Sequence, residues 1–215
     1  MDIILIGASK KTRLVLDFLE EEGRAAEVLG LVDRDPALRN TTVSGKRVLG
    51  ALESVLSTAS VGSVVFCICL SERFFLDRIQ ISTTLADRGF ASTSLISLNA
   101  NVSRTATIAA GSIIFPNVRV GMNATVGPCV TAYTGALIEH DCTIDANVEI
   151  ASRAVLAGGV RVGSGAFIGI NATVLPNLLI GAGAIVGGGA VVTKHVEEGA
   201  VVVGNPAHVL HARSR

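Results

Sequence analysis

One histidine, His140, lies more than fifty residues from any other histidine of this 215-residue sequence. The other three histidines lie at or beyond residue 195, close to the C-terminus. Two adjacent glycines, Gly158 and Gly159, begin eighteen residues after His140. An imidazole can act as a general base, and a bare backbone N–H beside it can stabilise a developing oxyanion. If the fold stacks positions that are eighteen residues apart, this pair has the chemistry for acyl transfer.

A six-residue repeat fills the part of the sequence around His140. Every sixth residue from Val102 to Val192 is Val, Ile or Leu in fifteen of sixteen cases, the exception being Ala132. Small residues recur four positions after each aliphatic, and Gly, Asn or Asp recur between the two. This period is typical of a parallel β-helix, in which short strands turn corners and stack their aliphatic side chains inward. A β-sandwich would need irregular loops and strands of varied length, so a chance period in such a fold is the weaker interpretation.

The repeat resembles that of the hexapeptide proteins, in which three hexapeptides form an eighteen-residue, left-handed triangular coil. Residues 102–196 would then supply about five coils, with Gly158 next to His140 at one strand spacing of about 4.8 Å. Both residues would lie at a corner, where side chains face outward. Only nine residues of 101–196 are charged, so another subunit is expected to cover part of the outer surface.

The first hundred residues follow a different pattern. Apolar runs predict strands at 3–6, 29–32, 64–69 and near Leu95, and helices are predicted at 12–23, 51–56 and about 74–88. Alternating strands and helices favour a small parallel sheet of Rossmann type. We therefore predict an α/β Rossmann-like domain at 1–97, a left-handed parallel β-helix at 98–196 and a C-terminal tail at 197–215.

Composition excludes several classes of protein. Lys and Arg equal Asp and Glu at 18 each, and charged residues make up 17%, which argues against a nucleic-acid binder with a broad basic surface. No apolar stretch is long enough to span or insert into a membrane, and the N-terminus does not resemble a signal peptide. Cytoplasmic location is therefore expected. The four cysteines lack metal-ligand spacing and are expected to be buried free thiols, with no metal bound.

Several segments together resemble the bacterial hexapeptide acetyltransferases of the sialic acid O-acetyltransferase and sugar-nucleotide N-acetyltransferase family. They are Ile138-Glu139-His140-Asp141-Cys142-Thr143-Ile144, Leu156-Ala157-Gly158-Gly159-Val160, Gly187-Gly188-Gly189-Ala190-Val191-Val192-Thr193-Lys194 and Val203-Gly204-Asn205-Pro206-Ala207. The resemblance covers nearly the whole chain and implies acetyl-CoA as co-substrate, a nucleotide-linked amino sugar as partner, and a homotrimer with active sites between adjacent β-helices.

The resemblance assigns roles to residues of the β-helix. His140 would be the general base, Asp141 would hold the imidazole tautomer, and Gly158 N–H would bind the thioester oxygen. Gly188 and Lys194 would contact acetyl-CoA. The alternatives are a solvated corner for His140 and Asp141, orientation of the ring by Glu139, and ordinary turns for the glycines.

The sequence departs from the family pattern at two positions near the base. A second histidine often follows the base by nine residues and touches the acetyl group, and here Glu149 takes that place among the acetyl-CoA-binding positions. An asparagine is common where Tyr133 stands. These departures affect contacts on the substrate side.

The N-terminal loop departs further from the family pattern. A glycine-rich turn is replaced by Gly7-Ala8-Ser9-Lys10-Lys11-Thr12, and fewer glycines restrict the close approach of a pyrophosphate. The resemblance places nucleotide-sugar binding at Gly7, Ser9, Lys10 and Asp33. Surface lysines and a turn-forming Asp33 explain the same residues equally well.

The sequence thus predicts an acetyl-CoA-dependent N-acetyltransferase acting on a nucleotide-linked 4-amino-4,6-dideoxy sugar by direct transfer. O-acetylation of a sialic-type sugar is the alternative, and a non-catalytic β-helix scaffold is the weaker one. A zinc enzyme resembling γ-class carbonic anhydrases is rejected, because it needs three histidine ligands and the β-helix offers one.

Overall fold

The computed structural model describes residues 1–70 and 75–212. These form two compact units, residues 1–95 and 96–215. The boundary lies two residues before the expected one. The C-terminal residues are not a separate tail, since Ala200–Val203 and His208–Ala212 form strands of the second unit.

The first unit is a five-stranded sheet with helices. Its strands are β1 Asp2–Ile6, β2 Val28–Val32, β3 Thr42–Val43, β4 Lys46–Gly50 and β5 Val64–Ile68, in the order β3-β4-β2-β1-β5. All neighbours are parallel except β3 and β4. The helices are α1 Lys10–Glu21, α2 Leu52–Leu56 and α3 Phe75–Asp87, with 3₁₀ turns at Ala25–Glu27 and Pro36–Leu38.

The start of α1 is fixed by a capping box. Ser9 accepts a hydrogen bond from Thr12 N–H, and the Thr12 hydroxyl in turn accepts from Ser9 N–H. Two otherwise unpaired donors are satisfied in this way. The helix therefore begins at Lys10, two residues before the predicted start, and Gly23 follows its end with a φ of 69°.

Two differences from the sequence prediction concern the first unit. The antiparallel pair β3 and β4 was not predicted. The strand at Leu95–Ile96 exists, but it pairs with the β-helix strand Ile113–Ile114 instead of joining the first sheet. Residues 71–74, which include the predicted start of α3, lie outside the described residues.

The second unit is a three-faced parallel β-helix. The first face has strands Asn101–Val102, Arg119–Val120, Leu137–Ile138, Val155–Leu156, Thr173–Val174 and Val191–Val192. The second face has Thr107–Ile108, Thr125–Val126, Thr143–Ile144, Arg161–Val162 and Leu179–Ile180. The third has Leu95–Ile96, Ile113–Ile114, Thr131–Ala132, Glu149–Ile150, Phe167–Ile168, Ile185–Val186, Ala200–Val203 and His208–Ala212.

Up to Val192, each strand of the β-helix pairs in parallel with the strand eighteen residues away. Leu137 pairs with Arg119 on one side and Val155 on the other, and the same step holds on the other two faces. The final two strands of the third face, Ala200–Val203 and His208–Ala212, pair antiparallel with each other. The repeated aliphatics are buried, with Ile138, Ile150 and Leu156 at 0% exposure. Small residues such as Ala136 and Ala154 fill the second inward position. The coil tightens after Val192, where Val196 bridges Ile180, only sixteen residues away.

The corners explain why Asn, Asp and Gly recur in the sequence. The third residue of most corners has a positive φ, as in Asn123 (57°), Asp141 (58°) and Gly159 (72°). Glycine, asparagine and aspartate adopt this left-handed conformation most readily. A corner of this kind turns the chain between faces without adding a residue, so the register stays constant.

Two general features complete the fold. All four cysteines are buried, and none of them forms a disulfide within the described residues. Within the described ranges, no helix has both the length and the apolar character needed to cross a membrane.

Candidate active site

His140 and Asp141 lie at the corner between the first and second faces, called the His140 edge below. The same corner position is occupied in successive coils by Arg104, Met122, His140, Gly158, Pro176 and Lys194. Side chains at this position face outward, and those of His140 and Asp141 are 58% and 52% exposed. In one chain the pair is therefore open to a ligand.

The aspartate fixes the orientation of the imidazole. Asp141 Oδ2 lies 2.8 Å from His140 Nδ1. With Nδ1 carrying the proton toward the carboxylate, Nε2 is left as the basic nitrogen. The hydrogen bond with His140, and after it one with Asn123, lowers the pKa of Asp141 below its ordinary value. The carboxylate thus stays ionised and able to orient the ring.

The imidazole packs directly on Gly158 in the next coil. A Cβ at residue 158 would lie 2.5 Å from His140 Nε2 and 2.5 Å from its Cε1. These distances are far below a normal contact, so a larger residue at 158 would displace the ring. The structure thereby brings together His140 and Gly158, which the eighteen-residue spacing linked, and it places Asp141 against the same imidazole.

The backbone of Gly158 offers a hydrogen-bond donor at the same place. Gly159 N–H donates to His140 O at 2.9 Å, whereas Gly158 N–H has no acceptor within the described part of the chain. Proline occupies the equivalent corner position at 116, 128 and 176, which indicates that this turn needs no donor there. The N–H of Gly158 is consequently available to a ligand oxygen.

Lys194 stands on the same edge as His140. It follows Val192 by two residues, as His140 follows Ile138, and it is exposed. Three coils separate the two positions, a distance of about 14 Å along the edge at one strand spacing per coil. An ammonium group at this place can reach a ligand that extends along the edge from His140.

Gly188 and Glu149 occupy other parts of the β-helix. Gly188 lies at the corner between the third and first faces and packs against Ile170, with an added Cβ at 3.1 Å from Ile170 Cγ2. Glu149 lies on the third face, opposite the His140 edge. It is 1% exposed, and its Oε2 accepts from Tyr133 Oη at 3.4 Å. Within one chain, the structure does not bring either residue to His140.

The first unit contains a cavity of about 420 Å³ at the carboxyl ends of its parallel strands. This is the position at which open α/β sheets bind ligands. The lining is mostly apolar, and its charged members are Asp33, Arg34, Glu53 and Asp77. Three carboxylates against one guanidinium make the lining net acidic.

Three of the four predicted nucleotide-site residues, Gly7, Ser9 and Asp33, line this cavity. Asp33 Oδ2 accepts from Ala8 N–H at 2.7 Å and Oδ1 from Asp35 N–H at 2.9 Å. The aspartate therefore ties the loop after β1 to the end of β2. Ser9 Oγ donates to Cys69 O at 2.9 Å and holds the same loop to the end of β5.

The two lysines at the start of α1 have different surroundings. Lys10 is exposed and is not part of the cavity lining. Lys11 is only 4% exposed, and its Nζ donates to Leu70 O at 2.9 Å. The buried ammonium is thus a structural donor that holds the start of α1 to the loop after β5, and it is not a surface charge.

Sequence reasoning missed Asn123, which belongs to the His140 edge. Its Nδ2 donates to Asp141 Oδ1 at 3.1 Å, and its backbone N–H donates to Thr105 Oγ1 at 3.0 Å. The eighteen-residue step that links His140 to Gly158 also links Asp141 back to Asn123. Applied in that direction, the same spacing would have identified this residue.

Known proteins resemble the chain in sequence and in structure. Residues 159–194 match the family described as bacterial transferase hexapeptide (six repeats). GDP-perosamine N-acetyltransferase from Caulobacter crescentus, solved with CoA and GDP-perosamine, superposes with a TM-score of 0.90 at 27% identity, covering 98% of this chain and 97% of that one. Among curated proteins, no sequence matches the chain.

Two further solved structures are similar over their whole length. The acetyltransferase domain of PglB from Neisseria gonorrhoeae has a TM-score of 0.86 at 29% identity and covers 97% of this chain and 99% of that one. WeeI from Acinetobacter baumannii has a TM-score of 0.86 at 28% identity, with coverage of 98% and 100%. These likenesses confirm the predicted architecture, a Rossmann-like domain followed by a left-handed β-helix.

Proposed function

We propose that this chain, a bacterial hexapeptide acetyltransferase as its sequence resemblance and structural likenesses agree, acetylates the amino group of a nucleotide-linked 4-amino-4,6-dideoxy sugar. Acetyl-CoA is the acetyl donor. The protein similar to it from Caulobacter crescentus was solved with CoA and GDP-perosamine, and a PglB domain was solved with acetyl coenzyme A. Both support a sugar nucleotide and acetyl-CoA as the two substrates.

The observation that carries the proposal is the stacking of His140 on Gly158. Nε2 is the free nitrogen of an imidazole whose Nδ1 faces Asp141 at 2.8 Å, and it lies against the backbone of Gly158. A base and an N–H donor thus share one corner. Transfer to a thioester carbonyl needs both groups, one on the nucleophile and one on the carbonyl oxygen.

In the proposed reaction the acetyl group passes directly to the amine, without an acyl-enzyme. The neutral sugar amine attacks the thioester carbon and forms the C–N bond while Nε2 of His140 takes a proton from the nitrogen. Gly158 N–H donates to the oxyanion of the tetrahedral intermediate. The intermediate collapses, the C–S bond breaks, and the imidazolium returns the proton to the CoA thiolate. The products are the acetamido sugar and free CoA.

The acidic cavity of the first unit is suited to the nucleoside of the sugar nucleotide, because a nucleoside carries hydrogen-bond donors. Its carboxylates, Asp33, Glu53 and Asp77, favour base N–H and ribose O–H groups and disfavour a diphosphate, because like charges repel. Gly7 and Ser9 line the same cavity, whereas Lys10 lies outside it and is available to the phosphates.

We also propose a homotrimer in the cytoplasm. Four buried cysteine thiols that are not in disulfides are expected of a protein in a reducing compartment. Glu149, proposed from the resemblance to contact the acetyl group, lies opposite the His140 edge of its own chain. A neighbouring subunit would have to supply it to that edge. Lys194 and Gly188 complete the proposed acetyl-CoA contacts.

The test is an assay of purified protein with acetyl-CoA and a panel of GDP-, UDP- and dTDP-linked 4-amino-4,6-dideoxy sugars. Mass spectrometry is expected to detect a gain of one acetyl group on one member of the panel, with release of a free thiol. Acetylation of sialic acid but not of the amino sugars would favour the O-acetyltransferase instead. Absence of acetyl-CoA binding by calorimetry would favour a non-catalytic scaffold and overturn the proposal.

The matched variants for this assay are His140→Asn and His208→Asn. Loss of general-base catalysis is expected to lower kcat of His140→Asn by about 10² to 10⁴. The exposed His208, on the terminal strand of the third face, is expected to be replaceable without effect. Near-normal turnover of a correctly folded His140→Asn would show that His140 is not the base.

A further inference from the structure

A chain of hydrogen bonds runs along the His140 edge and ends at the imidazole. Thr105 Oγ1 accepts from Asn123 N–H at 3.0 Å, and Asn123 Nδ2 donates to Asp141 Oδ1 at 3.1 Å. The other carboxylate oxygen, Oδ2, faces His140 Nδ1 at 2.8 Å. Four residues from three consecutive coils therefore form a connected polar network.

Asn123 constrains the rotation of the Asp141 carboxylate, which the hydrogen bond with His140 alone leaves free. A carboxylate bound only through Oδ2 can rotate about its Cβ–Cγ bond, because that torsion is broad. A second hydrogen bond, to Oδ1, fixes the plane of the carboxylate. Both Asp141 and His140 are more than half exposed, so little packing around them can serve this purpose.

We infer that Asn123 is a positioning residue for the acetyl transfer, holding Asp141 in the plane that keeps Nδ1 of His140 protonated and Nε2 directed at Gly158. Asn123 does not touch the reacting atoms. It acts through the carboxylate of Asp141, and its contribution should appear in the orientation and tautomer of the imidazole.

The alternative role of Asn123 is purely local, since asparagine is favoured wherever a corner requires a positive φ. Its φ is 57°, and the exposed Asn117 has a φ of 60° at another corner. Asn117 provides the matched control, because Asn117→Gly and Asn123→Gly both keep a residue that tolerates this conformation. Only Asn123→Gly removes a hydrogen bond to Asp141.

The kinetic experiment rests on the proposed function and uses the full-length protein. We expect Asn123→Gly to lower kcat about fivefold with little change in KM for acetyl-CoA, the effect of losing one ordinary hydrogen bond from a catalytic network. Asn117→Gly should leave both constants unchanged. In an Asp141→Gly background, Asn123→Gly should have no further effect, because its partner is already gone. Equal losses in the two backgrounds would overturn the inference.

A second measurement does not depend on any substrate. In protein labelled with ¹⁵N-histidine, His140 is expected to be predominantly the Nδ1–H tautomer when neutral, and Asn123→Gly should increase the Nε2–H fraction. His140→Asn identifies the resonance, and Asn117→Gly should leave it unchanged. This shift in a protein inactive on every sugar tested would support the positioning role while the proposed function fails. An unchanged tautomer in an active enzyme would refute the positioning role alone.

Discussion

At the scale of single residues, the exposure of the His140–Asp141 pair separates activity from stability. Both side chains are more than half exposed, so neither contributes much to the packing of the β-helix. Substitutions at exposed positions usually change stability by less than about 0.5 kcal/mol. Changes in turnover at this corner can therefore be attributed to chemistry and not to unfolding.

Gly158→Ala is expected to reduce turnover strongly in a folded protein. The new Cβ would lie 2.5 Å from His140 Nε2, so the exposed ring must swing away from the corner. Alanine itself suits this turn, since the equivalent corner position is Ala110, Ala146 or Ala182 in other hexapeptides. Steady-state kinetics and thermal unfolding measure the two effects.

The control for this variant is Ser164→Ala, which changes the same corner position on another edge and should leave kcat unaltered. Full activity of Gly158→Ala would mean that the stacking of His140 on Gly158 has no part in the reaction.

Asp141 is expected to remain ionised throughout the working pH range of the enzyme. The hydrogen bond with His140, and then that with Asn123, lowers its pKa. A lowered pKa means that the interaction is present above the unfolded value of about 3.9 and is lost only as the pH falls through the still lower folded value. Protonation of Asp141 therefore lies below the range in which a general-base enzyme works.

The measurement is the pH dependence of kcat/KM for wild type and Asp141→Asn. The variant should be slower at every pH and should retain the decline in activity on the acid side, because Asp141 is not the group that titrates there. If the acid-side decline disappeared in Asp141→Asn, Asp141 itself would be the group whose protonation lowers the activity.

At the scale of elements, the coil interior controls the chemistry of its side chains. Cys142 occupies one of the small inward positions at 0% exposure, and its Sγ donates to Ala157 O at 3.2 Å. Burial raises the pKa of the Cys142 thiol. The folded state thus holds the neutral thiol at pH values where an unfolded cysteine would ionise.

Cys142→Ala should make the stability of the protein less sensitive to alkaline pH. A raised pKa stabilises the fold fully below the unfolded thiol value of about 8.5, and this contribution is lost as the pH rises above it. Alanine already fills several equivalent positions, including Ala136 and Ala154. Denaturant unfolding at pH 7.5 and about pH 9.5, under reducing conditions, compares the two proteins. If wild type and Cys142→Ala lost the same free energy of unfolding between these two pH values, the prediction would be contradicted.

Elements also differ in how readily the sequence predicts them. The β-helix could be predicted because each hexapeptide has the same local pattern and the register never shifts before Val192. The strand pair β3 and β4 could not, since β3 has two residues and β4 begins with the charged pair Lys46-Arg47. The candidate site was likewise predictable only where the repeat determines it. The eighteen-residue step located Gly158, whereas the burial of Lys11 depends on the loop after β5, which no local pattern describes.

At the scale of the whole molecule, the acidic cavity and the His140 edge belong to different units. Residues that line the acidic cavity belong to the first unit, and the His140 edge belongs to the second. The proposed function assigns the nucleotide to the former and acetyl-CoA to the latter. A substitution that affects one unit should therefore leave binding to the other intact.

Asp33→Ala is expected to weaken binding of the sugar nucleotide while leaving the affinity for acetyl-CoA unchanged. The carboxylate holds Ala8 N–H and Asp35 N–H, and its loss frees the loop that lines the cavity. An increase in KM for the sugar nucleotide of about tenfold corresponds to one charge-assisted hydrogen bond. Calorimetry with acetyl-CoA provides the control.

Asp35→Ala is the matched variant, because Asp35 caps the short turn at Pro36–Leu38 and does not line the cavity. It should bind both substrates normally. Equal weakening of acetyl-CoA and sugar-nucleotide binding by Asp33→Ala would show that the two surfaces are not independent.

Because the coils of the β-helix repeat at a constant step, equivalent positions along the His140 edge are evenly spaced. Lys194 lies three coils from His140, and each coil adds about 4.8 Å. If Lys194 meets the phosphates of CoA, the number of coils, and not the choice of side chain, sets the length of the ligand that fits between base and cation. Deleting one whole coil between Gly158 and Lys194 would preserve the surroundings of His140 and of Lys194. It would shorten the distance between these two residues by one coil, about 4.8 Å.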